Sequence, residues 1–161
     1  MVRKILRGLF TALAWGYVIA VPLQVYFAGL GVFQVSRGFI SGRSAPTFYA
    51  THMNFGWLLG LSALGMLILS PIAGFKRRTI ASTGALFLLN VLQSLILWAG
   101  DGNGAIRALH PANGILIFAV ALWMARSATQ EYRQVSPREM DDRAPAGAVS
   151  ADAPEASGAN P

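Results

Sequence analysis

The sequence predicts an all-α fold: an integral membrane four-helix up-down bundle with a disordered C-terminal tail. Three observations carry that prediction. The 161 residues are 54% hydrophobic and only 12% charged, the balance of a membrane protein rather than a soluble domain. Four apolar runs stand out, each meeting the roughly 20 residues a helix needs to cross hydrocarbon. Lys and Arg gather at the ends of these runs and stay out of their middles.

The first run, Leu9 to Phe33, follows Arg3, Lys4 and Arg7. Its apolar part is long for a signal peptide, and no small-x-small cleavage site follows, so it reads as a retained helix. The second run is Thr47 to Phe75, the third Thr79 to Ala99 and the fourth Ile106 to Ala125. No water reaches backbone groups in hydrocarbon, so all four must be helices. Pro22 and Pro71 are placed to kink or end theirs. Pro111 falls in a first turn, where its missing N–H costs nothing. Trp15, Trp57, Trp98 and Trp123 lie mostly toward span ends and read as an interfacial belt. From Ser136 onward the chain is Ala, Pro, Gly, Ser and Asp, too polar to offset the entropy of ordering. Residues 1–135 are therefore expected to form the bundle and 136–161 the tail.

Orientation follows from charge. Up to Gln130 there are ten Lys or Arg and one acid, Asp101. The N-terminus, the loop Lys76-Arg77-Arg78 and the segment with Arg126 and Arg133 form the richer set. Arg37, Arg43 and Arg107 form the poorer one. The richer side should be cytoplasmic, with both termini inside a bacterial inner membrane. The remaining acids, from Glu131 on, are assigned to the tail. No acid then lies within a span, which argues against a carboxylate proton relay.

Two histidines are the candidate chemistry. His52 and His110 each sit about one turn into a run, and each is followed four residues later by glycine, Gly56 and Gly114. Helices two and four share a direction and lie on the diagonal of an up-down bundle. Neighbours pack about 8–10 Å apart, so the diagonal is roughly 13 Å, a gap two imidazoles could span toward one metal. Haem b with two axial histidines fits, because a bare zinc or copper would need further ligands. Gly56 and Gly114 share a face with the histidines and would leave room for a macrocycle. Arg107, three residues before His110, would pair with a propionate, as would Arg37 or Arg43. The plain alternatives are interfacial histidines bonded to carbonyls or water, a Gly56-x3-Gly60 packing seam and an Arg107 lipid anchor. Gln24, Asn90 and Gln93 are polar within spans and read first as interhelical hydrogen bonders.

A weak repeat accompanies this pair. Gln24 with Gly31, and Gln93 with Gly100, share Q-x6-G, while the histidines share H-x3-G. Two parallel hairpins about an axis along the membrane normal would produce it.

His52 to Leu61 (HMNFGWLLGL), Lys76 to Thr79 and Leu109 to Ala125 (LHPANGILIFAVALWMA) resemble a bacterial family of small four-helix membrane proteins of unknown function. The chain is also loosely similar to one half-bundle of haem A synthase, whose haem-ligating histidines would match His52 and His110. That enzyme's half-bundles carry Glu before and Arg after the second-helix histidine, where this chain has Tyr49 and Met53. The resemblance therefore implies haem binding more than the enzyme's activity.

There is no Ser-His-Asp set, no metal-hydrolase constellation, no phosphate-cradling Gly loop and no basic-aromatic surface for nucleic acid. Enzymatic hydrolysis and phosphoryl transfer are unsupported. The expectation is a small b-type haem subunit for electron transfer or haem holding. The other reading is a cofactor-free accessory or scaffold subunit. Expected partners are the bilayer and a larger membrane complex or further copies of the chain.

Overall fold

The computed structural model describes residues 2–36 and 47–141. It contains α1 (Val2–Ser36), α2 (Thr47–Ile72), α3 (Arg77–Ala99), the short α4 (Gly104–Arg107) and α5 (Leu109–Asp141). The four long helices are each long and apolar enough to cross a membrane. α1 packs on α2 and α5, and α3 packs on the same two. The bundle is therefore up-down, with α2 facing α5 across one diagonal and α1 facing α3 across the other.

The core follows from side-chain spacing. Phe10, Ala14, Tyr17 and Val21 of α1 are buried, as are Leu59, Ala63, Met66 and Ser70 of α2 and Ala73 just past its end. On α5 the buried positions are Ile117, Ala121, Met124, Ala128 and Glu131. Alternating steps of four and three residues make one seam per helix, the pattern of knobs-into-holes packing. Large apolar side chains such as Trp57, Ile68, Leu88, Trp98 and Ile115 point outward. An apolar exterior around a packed core is what lipid contact requires.

Loop chemistry closes the hairpins. α2 ends in a Schellman turn: Phe75 N–H donates to Ser70 O and Gly74 N–H to Pro71 O. Gly74 sits at φ +69°, which glycine tolerates without steric cost. Pro71 lies inside α2 in its last turn, and α1 continues through Pro22. Asn103 caps α4 by accepting from the amides of Ala105 and Ile106.

Two sequence expectations need correction. The fourth run is not one helix from Ile106, because α4 stops at Arg107 and α5 restarts at Leu109. Glu131 is not a tail residue. It is buried at 8% exposure, on the α5 seam one heptad below Met124. Its carboxylate accepts from Lys76 N–H at 2.8 Å and from the Thr79 hydroxyl at 2.6 Å. α3 begins at that point without a side-chain cap of its own. A carboxylate from α5 supplies it, where the helix dipole favours negative charge. The helix reaches Asp141, so residues 136–141 belong to α5. The rest of the expected tail, 142–161, lies outside the described residues, as do Arg37 and Arg43.

The basic residues meet at one end. Arg7 of α1 donates to Ala73 O at 3.0 Å and to Gly74 O, clamping the α2–α3 turn. Its guanidinium also stands 5.3 Å from the centre of the Phe75 ring. Arg78 lies over the Trp123 ring at 4.2 Å. The opposite end carries the histidines.

Candidate functional site

His52 of α2 and His110 of α5 meet across the diagonal. Their ring centres are 6.2 Å apart, with the planes at 65°. The helices themselves do not pack on one another, so only the side chains bridge the gap. Both rings are partly buried.

Each histidine is held by a glutamine from the preceding helix. Gln24 Nε2 donates to His52 O at 2.8 Å, and Gln93 Nε2 donates to His110 O at 3.0 Å. The glycines of the repeat match as well. A side chain on Gly31 would press on the Tyr49 backbone at 3.3 Å, and one on Gly100 would press on Arg107 at 2.8 Å. Tyr49 and Arg107 each precede the respective histidine by three residues. The Q-x6-G repeat and its pairing with the two histidines is therefore a physical one. The glutamine sets the second helix's height, and the glycine, one end further on, admits its first turn.

The two halves differ at the rings. His52 Nδ1 lies 3.0 Å from Gln24 O, a contact in which the ring N–H donates to the carbonyl. That tautomer leaves the Nε2 lone pair free for a ligand. The Gln93 backbone is the hydrogen-bonding neighbour of the His110 ring, but the buried Nδ1 makes no bond of full hydrogen-bond geometry. Asn113, one turn further along α5, is 4% exposed. It donates to Leu89 O at 2.9 Å and to Gln93 Oε1. Gln24 Oε1 and Asn113 Oδ1 join His110 Nδ1 as buried atoms without a hydrogen-bond partner.

Below this cluster the other diagonal is closed. The Tyr17 hydroxyl and the Asn90 amide of α3 hydrogen-bond at 2.8–3.0 Å. This pair floors the site toward the bilayer centre. Asn90 and Gln93 thus make the interhelical bonds their spacing suggested.

The glycines fare unequally. A Cβ on Gly114 would meet nothing within 4 Å, so that side is open. At Gly56 it would meet Gln24 Nε2 at 2.9 Å, so the glutamine amide already fills that room. Gly60 borders open space and is not a packing seam within the chain. Arg107 is exposed and pairs with Asp101 at 2.7 Å. Arg107 lies in α4, with one residue, Ala108, between it and the helix that carries His110.

Among the described residues no group of three or more His, Cys, Asp or Glu could hold a bare metal ion. Sequence reasoning passed over Asn113, although it is three residues from His110 on one helix face. It also passed over Tyr17, whose spacing from Ala14 and Val21 marks it as interior.

A family of unknown function (DUF6220) matches residues 24–100, from Gln24 through α2 to the end of α3. The match contains His52 and Gly56 and stops short of His110. Comparison with curated proteins finds no match, and comparison with solved structures finds none either.

Proposed function

We propose that this chain is a small membrane protein holding one b-type haem between His52 and His110, as an electron-transfer or haem-holding subunit. The carrying observation is the 6.2 Å between ring centres. Two imidazoles bound to one metal at about 2 Å per bond place their ring centres about 6 Å apart. Two neutral nitrogens alone hold a bare ion poorly, whereas a porphyrin brings four more donors. When bound, haem would supply a one-electron couple, and His52 and His110 would hold its iron. Gln24 and Gln93 would set the height of the two ligands.

The test is optical. Protein purified in detergent after expression with ample haem should show a Soret band and a reduced-minus-oxidised difference spectrum. The His52→Ala/His110→Ala double variant should lose both. A colourless wild type, or full haem in the double variant, ends this reading.

The basic end is the cytoplasmic one in this proposal, with both termini inside a bacterial inner membrane. The partner is a larger membrane complex or a second copy. One observation favours a cofactor-free accessory subunit instead: the Gln24 amide already occupies the space at Gly56. A stoichiometric partner that co-purifies with colourless protein, and is lost when Gly56 and Gly60 become Leu, would establish it.

A further inference from the structure

We infer that the two histidines are inequivalent, and that His110 is the ligand a small neutral diatomic such as carbon monoxide displaces. The inference rests on the haem reading and goes beyond it, from a closed electron carrier to a site with a ligand-accessible face. Two independent asymmetries carry it.

The first is at the ring nitrogens. His52 Nδ1 donates to Gln24 O, which fixes its tautomer and its rotation. Outer-shell bonds of this kind typically change metal affinity about 10–100-fold. His110 Nδ1 is also buried, but its contact with the Gln93 backbone falls short of full hydrogen-bond geometry. Its backbone is held by Gln93, so the helix stays in place while the ring is anchored less firmly than that of His52.

The second asymmetry is room. One turn beyond His52, the Gln24 amide fills the space at Gly56. One turn beyond His110, the matching space at Gly114 is open. A displaced His110 ring and an incoming diatomic need volume, and of the two matched glycine positions Gly114 is the one that offers it. The exchange is balanced: the iron–His110 bond breaks, an iron–ligand bond forms, the iron stays ferrous and the imidazole leaves neutral.

The experiment uses the full chain in detergent. Wild type and the single variants His52→Ala and His110→Ala are loaded with haem, titrated for haem affinity, reduced with dithionite and exposed to carbon monoxide. Circular dichroism and gel filtration confirm each variant's fold, and free imidazole is added to His52→Ala as a rescue. His110→Ala should bind haem about 10-fold or more tighter than His52→Ala. Reduced wild type should shift its Soret band under carbon monoxide, and His110→Ala should shift it at lower gas concentration. Imidazole should restore haem to His52→Ala. Wild type that holds haem yet keeps an unmoved Soret band under saturating gas overturns this inference and leaves the haem reading standing. Equal haem loss in the two single variants also overturns it. A wild type that takes up no haem overturns both.

Discussion

Tyr17 and Asn90 show what a single hydrogen-bonded pair does inside an apolar bundle. Their reciprocal contact spans the α1–α3 diagonal, and Asn90 also donates to Leu86 O. Tyr17→Phe should cost about 0.5–1.5 kcal/mol, the usual range for an interhelical bond in lipid. Thermal unfolding in detergent reads it, and an unchanged midpoint would show the pair to be passive. Gln93→Leu should cost more, about 1–3 kcal/mol, because it strips both the His110 carbonyl and Asn113 of a partner in a buried place. It should also broaden the environment of the His110 ring, which histidine NMR would detect. The polarity of Gln24, Asn90 and Gln93 was visible in the sequence, but their partners were not. A side chain's partner depends on helix rotation, which only packing sets.

The helices join through a latch at the basic end. Glu131 reaches from α5 to the start of α3, and Arg7 reaches from α1 to the α2–α3 turn. Each end of that turn is thus tied to a different helix. Glu131→Leu should lower stability by about 2–4 kcal/mol, since it leaves the Lys76 N–H and Thr79 hydroxyl unpaired at a helix terminus. Glu131→Gln, which keeps one acceptor, should lose less than half as much. Denaturation midpoints of the pair separate the two, and equal losses would mean that charge rather than hydrogen bonding dominates. Span existence was legible from hydropathy alone, but length was not, since α1 and α5 run past their apolar stretches. Glu131 was misplaced because charge was weighed before periodicity. The step from Met124 to Ala128 to Glu131 already puts the acid on the buried seam. The helix break at Ala108 did have a signal, Pro111, which has no N–H to donate to Arg107 O and crowds that carbonyl.

At the scale of the whole molecule the bundle is two like hairpins, α1–α2 and α3–α5, facing each other around the histidines. One end is basic and the other carries Asp101, Asn103 and Arg107. The chain contains no cysteine, so single introduced thiols report topology against an empty background. In cells, Asn103→Cys should react with an impermeant maleimide added outside, and Arg133→Cys should react only after lysis. The reverse pattern would invert the orientation proposed above.

The sequence by itself determined that four helices are long and apolar enough to cross a bilayer, where α2 and α3 begin and end to within a few residues, and which end is basic; α1 starts earlier and α5 runs well beyond their apolar stretches. It could do so because hydrocarbon offers no partner for a free peptide group, so composition and length leave one solution. The tertiary structure alone decided that two imidazoles face each other, that Gln24 fills one glycine's space, and that Glu131 is interior. Those outcomes turn on the rotation of each helix about its axis, and rotation follows from how all four seams interlock at once.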